Sequence, residues 1–400
     1  MSQPEAPRAA LPLAIIANSQ TPYRLHLHQR IARELGAVEL WSVFTHEVSN
    51  APFQIESPDE IRPIFFGLGE HSEDQSRLGN QWNEWTKAGK ILEWMRVHRV
   101  RAIVLFGYND LGRLRIIQSC RRNGVPVLLF GDSNIRGERL RGWKRALKRL
   151  IVSAVVRRCI AVLHCGRLGA EYFASYGARP EATFPVPYEP DYPALRNVPP
   201  EQLAEVKSQL RLSNSRRYLL YVGRLVEVKR VDLLLQAFAQ IASKRPAWDL
   251  IIAGDGPLRA SLDASLPGHL TPRLVWTGFL ADYTTLAALY RSADILVLPS
   301  DIEPWGVVVT EAATGLAIVC SSTVGAAADL VHDGVNGRIF PPGDVAALTS
   351  ALLDVTSPDK VDRMKAESPN ILASWRAHSD PVKGLRSALQ FAGVLPGDPA

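Results

Sequence analysis

The chain has 400 residues, of which 46% are hydrophobic and 22% are charged; this is enough for two hydrophobic cores and excludes disordered and membrane-spanning compositions. The net charge of +6 is local, because residues 136–158 hold nine cations and one acid and leave the remainder slightly acidic. A general nucleic-acid-binding surface is therefore not supported, and no nucleic-acid partner is expected.

The four cysteines have no metal-ligand spacing and are too few for a disulfide framework, which indicates a reducing cytosol. The apolar run 9–17 ends at polar Asn18 and resembles a first buried strand more than a secretion signal. No run is long enough to span a bilayer. The expected location is the cytoplasm, and the basic segment leaves peripheral attachment to the inner face of the cell membrane open.

In the first half, apolar β-rich runs alternate with helical patterns, which favours a parallel sheet covered by helices on both faces. The predicted strands are residues 13–17, 38–44, 101–106, 125–130 and 159–164. The predicted helices are residues 24–35, 87–98 and 111–123. The proline-rich residues 185–200 can continue neither pattern and are interpreted as an inter-domain linker.

The second half repeats this alternation. Its predicted strands are residues 217–222, 248–253, 274–277, 294–298 and 317–320. Its predicted helices are residues 231–243, 282–292 and 345–354. The predicted fold class is α/β, with two Rossmann-like doubly wound domains facing a central cleft. The expected divisions are residues 1–190, residues 191–380 and a C-terminal tail at 381–400.

Two carboxylates eight residues apart, Glu303 and Glu311, follow the apolar run 294–298. A helix is predicted to begin near Gly306, and free N–H groups at such a start bind anions at the carboxyl edge of a sheet. This helix carries Glu311 roughly 8–9 Å from its start, which suits the span from a hexose to a ribose across a diphosphate. The alternatives are a surface acid in a turn for Glu303 and a water-facing helix residue for Glu311.

This stretch resembles the Glu-x7-Glu motif of retaining glycosyltransferases of family 4 (glycosyl transferases group 1), which have the two-domain GT-B fold. The resemblance is strong between residues 218 and 344 and weaker in the first half. It continues through Tyr221-Val-Gly-Arg-Leu-Val-Glu-Val-Lys-Arg230, Ile251-Ile-Ala-Gly-Asp-Gly-Pro257, Trp276-Thr-Gly-Phe-Leu280 and Asn336-Gly-Arg-Ile-Phe-Pro-Pro-Gly-Asp344. It implies an N-terminal acceptor-binding domain, a C-terminal donor-binding domain and a tail that packs back on the first domain.

The resemblance also implies roles on the donor side, where Glu303 contacts the sugar and Glu311 accepts hydrogen bonds from ribose hydroxyls. Arg224 and Lys229 stabilise the diphosphate leaving group as its charge rises, and with Glu303 they are the expected catalytic residues. The alternative for these two cations is a solvated loop paired through Glu227. The remaining implied donor contacts are Gly223, Gly306, Val307, Val308 and Gly325.

The family's Gly-Gly-x-Pro-Glu turn reads Val324-Gly-Ala-Ala-Ala-Asp329 here, and only Gly325 is retained from it as a phosphate contact. No metal is expected, because GT-B enzymes generally use basic side chains and helix dipoles instead of a cation. Gly254-Asp-Gly256 fails as a dinucleotide-binding fingerprint because Pro257 follows it directly. The expected co-substrate is a nucleotide diphosphate sugar, and no cofactor is predicted.

On the acceptor side, residues 18–24 link the first strand to its helix and face the cleft, so Asn18, Tyr23 and Arg24 are candidate acceptor contacts. The alternative is a plain turn with a threonine cap and a proline at the first helical position. Residues 131–134 lack the histidine that many relatives carry near the reacting centre. Asp132 is the candidate in its place, and no general base is carried over from the family.

Residues 140–154 are predicted to form an amphipathic basic helix. Its apolar arc is Leu140, Trp143, Ala146, Leu147, Leu150, Ile151 and Ala154. Its cationic arc is Arg141, Lys144, Arg145, Lys148 and Arg149. One interpretation is that this helix binds an anionic membrane surface beside the acceptor domain. The alternative is that the apolar arc packs on the domain's own core and the cations face water.

Together with these patterns, the resemblance implies transfer of a hexose, with retained anomeric configuration, from a nucleotide diphosphate sugar to a glycan or lipid-linked acceptor, in surface polysaccharide assembly. One alternative is a sugar-nucleotide epimerase or phosphorylase on the same fold, which product analysis would separate. The other is an inactive nucleotide-binding scaffold, which donor hydrolysis or transfer above background would exclude.

Overall fold

The first sheet is built from the short apolar runs of the first half. In the computed structural model, which describes residues 10–49 and 57–397, this sheet has seven parallel strands. They are β1 (Leu11–Ala17), β2 (Val38–Phe44), β3 (Pro63–Phe65), β4 (Ala102–Phe106), β5 (Val127–Gly131), β6 (Ala161–His164) and β7 (Thr183–Pro185). Their order is β3-β2-β1-β4-β5-β6-β7, so the winding reverses between β1 and β4 and leaves a crevice at the carboxyl ends there.

Successive residues of a strand point to opposite faces of the sheet, and here both sets are apolar. Helices therefore cover both faces of this sheet. They are α1 (Pro22–Glu34), α2 (Gln81–Val97), α3 (Leu111–Arg122), α4 (Gly142–Val156) and α5 (Gly166–Ser175). Leu13 and Ile15 of β1 share one buried cluster with α1, whereas Ala14 and Ile16 share the other with α2, α3, α4 and α5. The face that carries α4 is therefore the one covered by α2 and α3.

The second sheet has six parallel strands in the order β10-β9-β8-β11-β12-β13. They are β8 (Arg217–Val222), β9 (Trp248–Ala253), β10 (Leu274–Gly278), β11 (Ile295–Leu298), β12 (Ala317–Ser321) and β13 (Gly337–Phe340). The helices of this half are α6 (Tyr192–Arg196), α7 (Pro200–Gln209), α8 (Val231–Ile241), α9 (Arg259–Ser265), α10 (Tyr283–Ser292), α11 (Val307–Ala312), α12 (Ala327–Leu330), α13 (Val345–Val355), α14 (Pro358–His378) and α15 (Pro381–Phe391). The predicted α/β class with two doubly wound sheets is confirmed.

The proline-rich segment differs from the prediction, because α6 lies inside it. The Asp191 carboxylate caps this helix by accepting a hydrogen bond from the Ala194 amide at 3.0 Å. Pro193 occupies the first turn, where a missing N–H costs nothing. The helix packs against α10 and so belongs to the second domain.

The last helix, α15, packs on the first domain against α1, β6 and β7. Arg30 of α1 donates to Asp380, just before α15, at 2.9 Å. Gly384 lies against the Pro185 carbonyl, where a side chain would collide with the backbone. Among the described residues, no helix is both long enough and apolar enough to cross a bilayer.

Candidate active site

A cavity of about 670 Å³ lies between the domains at the carboxyl edge of the second sheet. The loops after β8, β9 and β10 and the start of α11 form one wall, and the start of α1 and Glu73 form the other. We call it the donor cavity, after the donor contacts that the family resemblance implies for its residues. The residues lining it that the sequence singled out are Tyr23, Gly223, Arg224, Val307, Val308 and Glu311. Tyr23, expected on the acceptor side, therefore lies against this cavity.

Glu311 is the carboxylate that lines the donor cavity from α11, and it is only 6% exposed. The Tyr290 hydroxyl donates a hydrogen bond to its Oε2 at 2.6 Å. Burial raises the pKa of Glu311 to about 7, and hydrogen bonds to tyrosine hydroxyls offset part of that rise. The alternative of an ordinary water-facing helix residue is wrong, since this carboxylate is buried at the edge of a cavity.

Gly306 makes the turn from Glu303 into α11. Its φ of 89° lies in the left-handed region, which costs other residues free energy. A Cβ at this position would lie 3.0 Å from Cγ of Glu303. The glycine therefore lets the chain carry Glu303 and Glu311 on the two sides of one tight turn.

Glu303 forms an ion pair with Lys229, and both side chains are largely buried. Lys229 ends a short 3-10 turn, residues 227–229, immediately before α8. The alternative of a loop paired through Glu227 is therefore wrong for Lys229. Arg224 instead reaches across the cleft, where its Nη1 lies 3.4 Å from Oε1 of Glu73.

Gly325, an expected phosphate contact, is not among the residues that line the donor cavity and makes backbone contacts within the second domain. Its amide donates to the Glu303 carbonyl at 3.0 Å, and a side chain here would collide with the Pro304 carbonyl. The shortened acid Asp329 accepts a hydrogen bond from the Arg167 amide, at the start of α5, at 3.1 Å. Both residues of this turn therefore serve backbone contacts, and Asp329 joins the two domains.

A second cavity, of about 390 Å³, lies at the carboxyl edge of the first sheet. We call it the acceptor cavity, after the acceptor contacts expected of Asn18, Arg24 and Asp132. Asn18, Arg24 and Asp132 line it, as the sequence placed them on one edge. Arg24 donates to Asn18 at 3.0 Å and stacks over the Phe106 ring at 5.2 Å. Burial raises the pKa of Asp132, which Arg24 partly offsets and the charge of Glu303 reinforces. Asp132 of the first domain thus lies near enough to Glu303 of the second for the charge of Glu303 to raise its pKa.

The first half of α4 does not pack on the core, so that alternative is wrong for it. Trp143 is 72% exposed and Leu150 is 68% exposed, and Leu147 and Ile151 are also exposed. The buried part of the helix is its end, from Val152 to Val156. Among the cationic arc, Lys148 is the exception, since its ammonium lies 2.5 Å from Glu138 and over the Tyr172 ring.

One cluster in the described part of the chain has the composition of a metal site, His46, Glu70 and Glu84. The Lys87 ammonium lies among these groups, 2.5 Å from Glu70, 2.8 Å from Glu84 and 3.4 Å from His46 Nε2. This ammonium supplies the positive charge that the two carboxylates require.

Sequence reasoning missed several residues of the site. Glu73 and Tyr283 line the donor cavity, and Tyr290 holds Glu311. Asn134 of the first domain contacts the backbone of Glu303. Their signal was weak, because each acts through a contact between segments far apart in the chain. The loop 254–257 also lines the donor cavity, and its Gly-Asp-Gly-Pro sequence was assigned no site role.

Residues 204–369 match the family described as glycosyl transferases group 1, which spans the second domain from α7 into α14. Alpha-D-kanosaminyltransferase from Streptomyces kanamyceticus is 29% identical over 189 residues, covering 46% of this chain and 48% of that one. Glycogen synthase from Mycobacterium tuberculosis is 37% identical over 138 residues, covering 34% of this chain and 33% of that one. The chain thus spans a third to a half of the length of these relatives.

Solved structures match nearly the whole chain. HepE from Anabaena, solved in complex with UDP and glucose, has a TM-score of 0.70 at 16% identity and covers 96% of this chain and 100% of its own. Sucrose-phosphate synthase from Thermosynechococcus elongatus has a TM-score of 0.71 at 19% identity and covers 96% and 98%. The fold is GT-B. In this GT-B chain the donor cavity belongs mainly to the domain that matches glycosyl transferases group 1.

Proposed function

We propose that the chain is a retaining glycosyltransferase that moves a hexose from a nucleotide diphosphate sugar to a glycan or lipid-linked acceptor. The observation that carries the proposal is the buried carboxylate of Glu311 in a donor cavity that also presents Arg224. A nucleotide sugar requires both groups, a carboxylate for ribose hydroxyls and a cation for the diphosphate. HepE, a structural neighbour, was solved with UDP and glucose, which supports this donor class.

In the proposed reaction, the bond from the anomeric carbon to the diphosphate oxygen breaks while the acceptor oxygen bonds to the same face of that carbon. Glycosyl transfer passes through an oxocarbenium-like state, so the leaving group gains negative charge before the new bond is complete. Arg224 and Lys229 stabilise that charge. A phosphate oxygen of the donor takes the proton of the acceptor hydroxyl, and Glu303 positions the sugar.

In the proposed reaction, the ion pair of Lys229 with Glu303 is exchanged for a contact of Lys229 to phosphate and of Glu303 to the sugar. Arg224 likewise exchanges Glu73 for the diphosphate. Each cation thus keeps a negative partner throughout, and Glu303 exchanges its cation for the hydroxyl donors of the sugar.

A thermal-shift screen of nucleotide sugars tests the donor, because a bound ligand raises the apparent stability by mass action. Incubation of the selected donor with glycan acceptors, followed by NMR of the anomeric centre in the product, tests transfer and retention. An epimerised nucleotide sugar as the product would favour the epimerase. A sugar phosphate as the product would favour the phosphorylase. Nucleotide binding without turnover would favour the inactive scaffold.

Transfer activity is expected to survive excess EDTA, because Arg224, Lys229 and the start of α11 take the place of a cation at the diphosphate. The measurement is the initial rate with and without chelator, after the protein has been passed through chelating resin. Complete loss of activity that Mg²⁺ or Mn²⁺ restores would reverse the metal assignment.

We further propose that α4 binds the anionic surface of a membrane and so brings a lipid-linked acceptor to the cleft, as surface polysaccharide assembly requires. Its exposed side chains combine an indole and leucines with Lys144, Arg145 and Arg149, and exposed Arg141 directly precedes the helix. Cations near such a surface contribute about 1 kcal/mol each, and apolar side chains insert at the headgroup boundary. The charge of this helix selects an anionic surface.

The protein is therefore expected to co-sediment with vesicles that contain phosphatidylglycerol and not with pure phosphatidylcholine vesicles. Replacing Arg141, Lys144, Arg145 and Arg149 with Ser should abolish this binding without lowering the melting temperature, and Lys148 is kept because it pairs with Glu138. A control that removes the same charge elsewhere replaces the exposed Arg121, Arg122, Arg196 and Lys244 with Ser. Equal recovery on both vesicles, or no binding at low salt, would favour a soluble acceptor.

A further inference from the structure

Asn134 is a first-domain residue that contacts the donor motif of the second domain. It lies three residues after β5, in the segment that leads to α4, and it is 3% exposed. Its amide nitrogen lies 2.9 Å from the Glu303 carbonyl, 3.0 Å from the Pro304 carbonyl and 3.2 Å from the Thr323 carbonyl. One side chain thus donates to two neighbouring strand-end loops of the other domain.

The orientation of this amide is fixed from within the first domain. Its Oδ1 accepts a hydrogen bond from the Gly137 amide at 2.9 Å, so Nδ2 must face the three carbonyls. Only an N–H donor suits that position, because a carbonyl group surrounded by other carbonyls would be left unpaired. The position therefore requires a side chain that accepts at one atom and donates at the other, as asparagine does.

The backbone of Glu303 is held from both domains. The Gly325 amide donates to its carbonyl from the second domain, and Asn134 donates to the same carbonyl from the first. Two more side chains of the first domain donate to carbonyls of the second. Arg136 donates to the Ser322 carbonyl at 2.7 Å, and Arg139 donates to the Asp301 carbonyl at 3.1 Å. The turn that carries Glu303 is thus held by the second domain alone through Gly325, and it gains the contacts of Asn134, Arg136 and Arg139 only while the two domains are closed.

We propose that Asn134 is a positioning residue for sugar transfer, which sets the Glu303–Pro304 backbone so that the Glu303 carboxylate meets the donor sugar only in the closed arrangement. This rests on the proposed function, in which Glu303 contacts the sugar. Asn134 does not line the nucleotide half of the donor cavity, around Glu311 and Val307. A change at Asn134 therefore acts on turnover and leaves nucleotide binding intact.

The test is Asn134→Asp, which has the same shape and keeps the acceptor for Gly137 but replaces the N–H donor with an oxygen. We expect kcat to fall at least about tenfold while the donor KM changes less than about threefold. Asn134→Ala should lose less, because it removes the donor without adding a charge that faces three carbonyls. The matched control is Asn123→Asp, the same substitution at an exposed position of the same domain.

Two readouts separate positioning from a structural role. The nucleoside diphosphate to use is the one among UDP, GDP, ADP and dTDP that raises the wild-type melting temperature most. Calorimetry then measures its affinity, and Asn134→Asp should bind it as tightly as the wild type does. The kcat of Asn134→Asp relative to wild type should also recover as the pH falls from 8 to 6, because burial against three carbonyl oxygens raises the pKa of the introduced carboxyl and its protonated form donates again.

An unchanged kcat in Asn134→Asp would overturn the proposal. So would a parallel loss of kcat, nucleotide affinity and melting temperature, which is the result of a structural defect. A wild-type protein that neither binds any of the four nucleotides nor transfers a sugar would instead overturn the proposed function, so the two failures are distinguishable.

Discussion

Glu311→Gln is expected to stabilise the ligand-free protein above pH 7 and to weaken donor binding at least tenfold. The pKa of Glu311 is raised from its ordinary value of 4.5 to about 7 by burial, so the folded state holds its proton more tightly than the unfolded state. The resulting stability is complete below the unfolded pKa and is lost as the pH rises through about 7.

At pH 8 the buried carboxylate is charged, and a shift of this size corresponds to roughly 3 kcal/mol against folding. Glutamine removes that cost and still accepts the Tyr290 hydrogen bond. It cannot offer a charged acceptor to two ribose hydroxyls, and charge-assisted hydrogen bonds contribute roughly 1.5–3 kcal/mol. The gain in stability and the loss in donor affinity therefore have one cause.

Melting temperatures at pH 5 and pH 8 provide the measurement, together with donor KM at pH 8. The melting temperature of the wild type should fall by several degrees from pH 5 to pH 8, and that of Glu311→Gln should not show this fall. Glu205→Gln, the same change on the exposed face of α7, is the control and should leave both quantities unchanged. An unaltered donor KM in Glu311→Gln would remove this residue from the donor site.

Lys229→Ala is expected to lower kcat at least about tenfold and to affect the donor KM less, because its ammonium acts on charge that develops as the leaving group departs. The same change leaves the largely buried Glu303 carboxylate without its partner. Steady-state kinetics on the variant and on Lys244→Ala, an exposed control, measure the effect.

The double variant Lys229→Ala with Glu303→Gln distinguishes the two contributions. If Lys229 served only to neutralise Glu303, its removal would cost nothing more once Glu303 is neutral, and the double variant would have the same kcat as Glu303→Gln alone. A kcat that stays at the wild-type value in Lys229→Ala alone would exclude this residue from the mechanism.

The regular elements could be predicted because their causes are local. β2, β8 and β9 begin and end at the predicted residues, since each is an apolar run bounded by polar or turn residues. The short edge strands β3, β7 and β13 were missed, because three or four residues carry no periodicity that distinguishes them from a loop. Helix α6 was missed because prolines mask a helix when they occupy its first turn.

The candidate site divides in the same way. Glu311, Arg224 and Lys229 lie on elements whose direction follows from the parallel sheet, so their position at its carboxyl edge was predictable. The ion-pair partners of these residues were not predictable. Whether Lys229 pairs with Glu227 or with Glu303 depends on the path of two loops 74 residues apart, and no pattern in either loop specifies it.

The return of α15 to the first domain gives the chain two crossings between the domains, one before α6 and one between α14 and α15. A body tied to another at two points cannot swivel freely, and its easiest motion is bending about the line that joins those points. Opening of the cleft should therefore follow one hinge axis. Cutting the chain at one crossing alone would allow the domains to swivel about the remaining crossing, which would still hold them together.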